Sequence, residues 1–315
     1  MVELFGGIGA FRKALINLGV EHEVVHYVEN DKNCVKSYNK LYNEDFKPMT
    51  VTDFSMKDEK NIDILMHGSP CQDVSRIGLK KGANKDTGTR SSLLFETIRI
   101  IEEMKDKPKV VIWENVKGVL DKKMRTPFFS YLDEMKRLGY SSSFEILNAM
   151  DFGIPQKRER VFVVSVLRDS AFYFTKLRRE HAPHIKEFLE TDVDKKYIVH
   201  QPSILRKMRG EDKHKNFQAR VQYIDEFCYT ISTKQVRIPN AGFVPLEDGG
   251  YRYLTERECF RLMGFSDEDF DKIREIYPDK QGKTSSILYK QAGNSIVVRV
   301  LEEILEVIIG GNNNE

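Results

Sequence analysis

The chain has the length and composition of an ordinary globular protein, with a nearly balanced charge. Its 315 residues are 40% hydrophobic and 31% charged, and the formal net charge is +2. This composition excludes wholesale disorder, and no apolar run reaches the roughly 18 residues of a membrane span. A prior of about 150 residues per domain predicts roughly two domains. The net charge alone gives no hint of a polyanionic partner.

The cysteines and the first residues indicate the compartment. The four cysteines lie far apart and form no CxxC pair: Cys34, Cys71, Cys228 and Cys259. This spacing argues against a disulfide scaffold or a zinc site, so we expect no metal and a reducing cytoplasm. Residues 2–5 are not a basic leader, and no signal peptide is expected.

In the first half of the chain, strand-like apolar runs alternate with helical patterns. Strands are predicted at residues 2–5, 24–28, 62–66, 110–113 and 161–167, and helices at 10–18, 31–41, 93–104 and 128–138. This alternation is typical of an α/β domain with a mostly parallel sheet. The pattern weakens from about 170 to 255. It returns with helices at 256–263 and 295–309, and the last of these has one apolar face.

A glycine-rich turn, residues 5–11, joins the first strand to the first helix. Glycines there permit a ligand to approach backbone N–H groups, although a plain turn explains them equally well. The dinucleotide fingerprint needs a third glycine where this chain has Arg12. Glu29 ends the second strand, where an acid commonly binds ribose hydroxyls, and Asp53 is a candidate for an adenine amino group. Together these residues suggest a nucleoside cofactor without a pyrophosphate, such as S-adenosylmethionine.

Cys71 follows the third strand in the run Gly-Ser-Pro-Cys-Gln. Ligands bind at the carboxyl ends of parallel strands, and a cysteine nucleophile must be a thiolate. Most isolated cysteines are small core residues, which is our interpretation of the other three. Residues 76–90 then carry five basic residues against one acid, among glycines. Such a loop suits a lid that closes on a phosphate backbone, although a merely solvated loop is the alternative.

Two further segments place polar side chains near the same sheet edge. Glu114 ends the fourth strand, where a partly buried acid can keep a proton or donate one to a ring nitrogen. Residues 156, 158 and 160 alternate onto one face of an extended segment. Gln156, Arg158 and Arg160 are therefore expected to face the site.

Six motifs in order resemble those of the DNA (cytosine-5) methyltransferases of the bacterial and phage type. They lie at residues 4–9, 68–72, 114–116, 156–160, 257–265 and 289–295. The resemblance implies a Rossmann-like α/β methyltransferase domain that uses S-adenosylmethionine, with a second, smaller target-recognition domain. The first domain would comprise residues 1–175 and 287–315, and the second residues 176–286. The chain departs from the family at Glu3, where an aspartate is often found.

The resemblance also implies roles for individual residues. Cys71 would be the nucleophile, Glu114 would bind the amidine edge of a flipped cytosine, Arg160 would hold its carbonyl oxygen, and Arg158 would support the site. Ten residues would hold S-adenosylmethionine and the product S-adenosylhomocysteine: Phe5, Gly6, Gly9, Glu29, Asn30, Asp53, Phe54, Pro70, Asn294 and Ser295. Seven would contact DNA: Gln72, Ser75, Arg76, Thr230, Lys234, Gln235 and Arg237. Of these, Thr230 matches the family's threonine motif, and the last three are our candidates for base readers.

Alternative functions remain open at this point. A tRNA cytosine-5 methyltransferase is one, because a branch of the family modifies RNA, although a recognition region of roughly 110 residues favours duplex DNA. A DNA-binding module without turnover is another, against which the complete set of Cys71, Glu114 and Arg160 argues. The expected partner is duplex DNA, with a cognate restriction endonuclease acting separately. The enzyme is expected to be a monomer with no membrane contact.

We predict that DNA binding is strongly salt-dependent despite the near-neutral total charge. Residues 76–90 and 205–220 each carry a local net charge of +4. Each phosphate that a basic side chain neutralises releases counterions, so affinity should fall steeply between about 50 and 200 mM salt. The measurement is the Kd for duplex DNA across this range. A flat affinity would show that the two stretches do not face DNA.

Overall fold

The structure is a computed structural model that describes residues 1–69, 92–122, 124–168, 170–211, 221–236, 239–280 and 282–311. Its helices are α1 (Ala10–Asn17), α2 (Lys32–Tyr42), α3 (Ser92–Glu103), α4 (Arg125–Arg137), α5 (Pro202–Met208), α6 (Glu256–Arg261), α7 (Asp267–Ile276), α8 (Ser286–Asn294) and α9 (Val298–Gly311). Its strands are β1 (Val2–Leu4), β2 (His26–Val28), β3 (Ile64–His67), β4 (Val110–Val116), β5 (Tyr140–Asn148), β6 (Gln156–Lys157), β7 (Glu159–Leu167), β8 (Cys228–Tyr229), β9 (Val244–Pro245) and β10 (Tyr251–Arg252).

Six strands form one mixed sheet in the order β2-β1-β3-β4-β7-β5. The first four run parallel, whereas β7 lies antiparallel to both β4 and β5. The predicted α/β class is confirmed, and the parallel part is confined to the N-terminal half. The sequence missed β5 because residues 141–143 are consecutive serines on an edge strand, where apolar alternation is not required.

Two helix ends follow from a capping hydrogen bond and from an extended residue. The side chain of Asp31 accepts a hydrogen bond from the backbone N–H of Asn33, so α2 starts at the predicted cap. The last helix begins at Val298 rather than at residue 295, because Ser295 is extended and ends α8. Its predicted apolar face is confirmed as buried: Val298, Leu301, Ile304, Leu305 and Ile308.

Each face of the sheet carries its own core because alternate strand residues point to opposite sides. Met66 and Ile112 pack on one face with residues of α1 and α9. Leu65 and Val111 pack on the other face with residues of α3 and α4. The sheet is therefore covered on both sides, and its strand ends are left to form a site.

The segment of residues 176–286 has only a small core of its own. That core is one cluster: Val199, Ile204, Phe243 and Tyr253. Phe260 of α6 and Phe270 of α7 belong instead to the large core beneath the sheet. A buried ion pair at 2.8 Å between Arg252 and Glu258 fixes the start of α6. The later part of this segment thus packs as part of the main body.

Within these described ranges, no helix is long and apolar enough to cross a membrane. Among the same residues, no group of three or more histidine, cysteine, aspartate or glutamate side chains is placed to hold a metal ion. Cys34, Cys228 and Cys259 are buried free thiols.

Candidate active site

The carboxyl ends of three neighbouring parallel strands meet at one edge of the sheet. His67 at the end of β3 lies opposite Leu4 of β1 and Trp113 of β4. The next residues along these strands are therefore neighbours at this edge: Phe5, Gly68 and Glu114. Open α/β sheets bind their ligands at such an edge.

The turn after β1 is shaped for close packing. Phe5 has a φ of 56°, a left-handed conformation that is uncommon for a bulky residue and often marks a functional site. Gly6 packs against Tyr27 so closely that a Cβ would lie 2.7 Å from the ring. Because a side chain does not fit there, the turn keeps its backbone open to a ligand.

Glu29 binds the backbone of this turn. Its two carboxylate oxygens accept the backbone N–H of Gly7 at 3.1 Å and of Asp31 at 2.8 Å. Burial raises the pKa of this carboxyl, while the backbone donors oppose the shift. Two carboxylate oxygens offer about four acceptor positions, so lone pairs remain for the hydroxyl donors of a ribose.

A cleft opens between this turn, the strand edge and the end of α8. Four of the predicted cofactor residues line it: Phe5, Gly6, Asn294 and Ser295. Glu114 lines it as well. The cleft encloses about 70 Å³, less than the roughly 300 Å³ or more of typical ligand pockets.

Five other predicted cofactor residues do not line this cleft: Gly9, Glu29, Asn30, Asp53 and Phe54. Gly9 is the N-terminal cap of α1. Asn30 and Asp53 are exposed. Phe54 is buried with its ring edge-on to His26, at 5.0 Å between ring centres. The prediction for Pro70 lies outside the described residues.

Glu114 and Arg160 form an ion pair at the strand edge. Oε1 of Glu114 lies 3.1 Å from Nε of Arg160, and the two side chains are 12% and 15% exposed. Burial raises the pKa of the Glu114 carboxyl, and the neighbouring Arg160 charge opposes that shift. Burial also lowers the pKa of Arg160. A carboxyl held in this way can share or donate a proton next to a fixed cation.

Arg158 was expected to face and support the same site, and its guanidinium bonds to backbone carbonyl oxygens rather than to Glu114. Its guanidinium donates to the carbonyl oxygens of Ile231 at 3.0 Å, Gly293 at 3.1 Å and Ser295 at 2.7 Å. The side chain is buried, and burial lowers its pKa to about 9. Arg158 therefore organises backbone around the cleft and does not pair directly with Glu114.

Asn115 is a site residue that sequence reasoning missed. Its Nδ2 donates to the carbonyl oxygen of Ser69 at 2.9 Å, and the side chain is buried. This bond anchors the chain at Ser69, two residues before Cys71. An amide directly after the strand-end acid Glu114 was the only signal in the sequence.

The predicted DNA contacts are only partly described. Lys234 is exposed, and the hydroxyl of Thr230 donates to the carbonyl oxygen of Lys157 at 2.8 Å. Gln235 is 1% exposed, and its amide donates back to Ser232 at 3.0 Å, so it is not presented to a base in this conformation. The predictions for four others lie outside the described residues: Gln72, Ser75, Arg76 and Arg237. The predicted nucleophile, Cys71, lies outside them as well.

Comparison with known proteins identifies the family to which this α/β fold belongs. Residues 1–310 match the family model for C-5 cytosine-specific DNA methylases. The chain is 30% identical to the type II methyltransferase M2.ScrFI of Lactococcus lactis subsp. cremoris, over 96% of this chain and 97% of that protein. It is 32% identical to the type II methyltransferase M.SsoII of Shigella sonnei, over 98% and 79%.

The chain therefore belongs to the C-5 cytosine-specific DNA methylases. It is an enzyme that transfers a methyl group from S-adenosylmethionine to carbon 5 of cytosine in DNA. Solved structures share the fold. The S. pombe Dnmt2 methyltransferase has a TM-score of 0.76 at 19% identity, over 100% of this chain and 98% of that one. The Entamoeba histolytica methyltransferase EhMeth has a TM-score of 0.77 at 19% identity, over 99% and 98%.

Glu3 is a buried acid behind the glycine turn. Its Oε1 accepts the backbone N–H of Arg12 at 3.1 Å, and its Oε2 has no partner among the described residues. The side chain is 1% exposed, and burial raises its pKa to about 7. An acid with a raised folded pKa stabilises the fold when protonated, and this contribution is lost as the pH rises through about 7.

We predict that Glu3→Gln stabilises the protein at pH 8 by a few kcal/mol and leaves it nearly unchanged at pH 5. The amide keeps an acceptor for Arg12 and removes the buried charge that forms above about pH 7. Urea unfolding at the two pH values measures this effect. The exposed Glu21→Gln is the control. An equal pH dependence in Glu3→Gln and the wild type would contradict the prediction.

Proposed function

We propose that Glu114, Arg160 and Cys71 bind and activate a cytosine flipped out of duplex DNA. The observation that carries this proposal is the partly buried Glu114–Arg160 pair beside the cofactor cleft. A protonated Glu114 is suited to donate to the ring nitrogen of cytosine, and Arg160 to its carbonyl oxygen. The bond from Asn115 to Ser69 supports a fixed approach for Cys71. Duplex stacking hides the reactive carbons, so the base must leave the stack.

The proposed chemistry follows from the weak nucleophilicity of carbon 5. The Cys71 thiolate forms a bond to carbon 6, and the electron pair of the 5,6 double bond becomes available at carbon 5. Glu114 and Arg160 stabilise the charge that develops on the ring. S-adenosylmethionine, when bound in the cleft, would supply the methyl group to carbon 5 and leave as S-adenosylhomocysteine. Transfer of the carbon 5 proton to water and departure of the Cys71 thiolate would then restore the aromatic ring.

We assign the cofactor to the cleft lined by Phe5, Gly6, Asn294 and Ser295. The carboxylate of Glu29 fits ribose hydroxyls, and the open backbone at Gly6 permits close approach. Since Glu114 borders the same cleft, a methyl donor held there would lie next to the target base. Glu29, Asp53 and Phe54 do not line this cleft, so in this proposal they would bind the part of the cofactor that extends beyond it.

We further propose that residues 176–286 supply target recognition to a catalytic part formed by residues 1–175 and 287–315. The small separate core around Val199 and Phe243 supports a distinct unit. Thr230 and Lys234 lie on the segment that leaves this unit next to the sheet edge. The enzyme is proposed to act as a monomer in the cytoplasm, alongside a separate restriction endonuclease. The buried free thiols favour a reducing compartment.

We predict methyl transfer to duplex DNA and none to tRNA, with loss of activity in Cys71→Ser. A serine hydroxyl is a much weaker nucleophile than a thiolate, so the rate should fall by at least about a thousandfold. The measurement uses labelled S-adenosylmethionine with both nucleic acids, followed by sequencing of the methylated cytosines. The buried, remote Cys259→Ala is the control. Normal transfer by Cys71→Ser, or a preference for tRNA, would contradict the proposal.

We predict that Glu114→Gln lowers the single-turnover rate by about a hundredfold or more, because the amide cannot deliver a proton to the ring. The matched control is Glu159→Gln. Glu159 lies beside Arg160 on the same strand, but its side chain is exposed and paired with Lys117. The control should keep nearly the full rate. Equal rates for the two variants would remove Glu114 from the mechanism.

A further inference from the structure

Gln156 is a fully buried side chain that ties together segments far apart in the sequence. Its Oε1 accepts the backbone N–H of Ile231 at 3.0 Å, and its Nε2 donates to the carbonyl oxygen of Leu262 at 2.9 Å. A buried amide bonded at both ends is held in one orientation, because breaking either bond leaves an unpaired polar group. Gln156 therefore fixes Ile231 relative to the end of α6.

The strand pairing at this point is too short to fix its own register. Gln156 lies opposite Cys228 and Lys157 opposite Tyr229, and the parallel β6–β8 ladder ends there. A ladder of two residues offers few backbone bonds, and strands that lack a strong pattern slip easily. Other contacts must decide which residue of the segment after β8 lies beside which residue of β6.

Beyond this ladder, side-chain hydrogen bonds hold the segment after β8. The Thr230 hydroxyl donates to the carbonyl oxygen of Lys157, and Arg158 donates to the carbonyl oxygen of Ile231. Of these contacts, only the bond from Gln156 engages the N–H of Ile231. Residues 230–236, which we name the recognition loop, follow directly after this point.

The position of Gln156 relates the recognition loop to the target-base pocket, by which we mean the site beside Glu114 and Arg160. Gln156 and Arg160 lie on one extended segment, and four residues of such a segment span about 13 Å. A slip of one residue moves a strand by about 3.3 Å, which is close to the 3.4 Å between successive nucleotides along a DNA strand. A register error at Gln156 would thus displace the recognition loop by a distance comparable to one nucleotide step.

We propose that Gln156 is a positioning residue that sets the register of the recognition loop against the target-base pocket. It thereby determines which bases beside the target cytosine are read. The inference rests on the proposed function, because it requires the recognition loop to contact DNA. Gln156 acts through Ile231, so its loss changes fidelity as well as rate.

The test compares Gln156→Met with Tyr140→Phe. Methionine has nearly the shape of glutamine but makes neither bond. Tyr140→Phe removes one buried hydrogen bond, 2.7 Å to the carbonyl oxygen of Pro108, at the opposite end of the sheet. Two quantities are measured: amide hydrogen exchange at Ile231, and the ratio of methyl transfer at the cognate site to transfer at sites with one neighbouring base changed. The cognate site is first read by sequencing DNA methylated by the wild type.

Gln156→Met should speed exchange at Ile231 and lower the cognate ratio at least tenfold, whereas Tyr140→Phe should leave both unchanged. Gln156→Glu keeps the acceptor for Ile231 and should retain more of the cognate ratio. If the methionine variant does not fold, the cognate ratio is measured with the glutamate variant instead. An unchanged ratio in an active Gln156 variant, or an equal loss in Tyr140→Phe, overturns the role of Gln156. Absence of transfer by the wild type overturns the proposed function instead, while exchange at Ile231 still reports the anchor.

Discussion

The buried charge of Arg158 is the constraint around which the site is assembled. Within the described part of the chain it has no carboxylate partner, and three carbonyl oxygens receive its guanidinium. Removing an ion from water costs several kcal/mol even after relaxation, so the fold must hold these carbonyls in place. They come from Ile231, Gly293 and Ser295, which belong to the recognition loop and to the end of α8. The Arg158 cation thus requires the recognition loop and the end of α8 to meet.

That meeting is possible only because α8 approaches the recognition loop without a side chain. A Cβ on Gly293 would lie 2.5 Å from the backbone of Ser232 and Thr233. With glycine there, the carbonyl oxygen of Gly293 reaches Arg158, and Asn294 and Ser295 turn into the cofactor cleft. The backbone that lines the cofactor cleft and the backbone that leads to the recognition loop are therefore in direct contact. A displacement of either one is transmitted to the other through packed atoms.

The parts of this arrangement that depend on local pattern could be predicted from the sequence. The cap at Asp31, the apolar face of α9 and the fourth strand that carries Glu114 follow from periodicity and from residue preferences, although this strand continues past Glu114 to Val116. Contacts across the chain did not follow. Arg158 bonds to residues 73 and 137 positions away, and no repeat in the sequence encodes such a separation. Gln235 was expected to read a base edge because it follows the threonine motif, yet its amide is bonded within its own turn and buried.

The same contacts define where the recognition region is able to move. Its own core, around Val199 and Phe243, is small, whereas Phe260 and Phe270 belong to the large core of the sheet. Burial of a large aromatic side chain contributes about 1.5–3 kcal/mol, so α6 and α7 remain with the sheet while the part with the smaller core is the softer one. Leu177, Ile185 and Leu254 also belong to the large core, so the softer part is confined to the small cluster within residues 176–286. Under the proposed function, the recognition loop would contact the duplex while the hydrogen bonds to Ile231 hold its start. This anchoring would keep the distance between the loop and the target base constant.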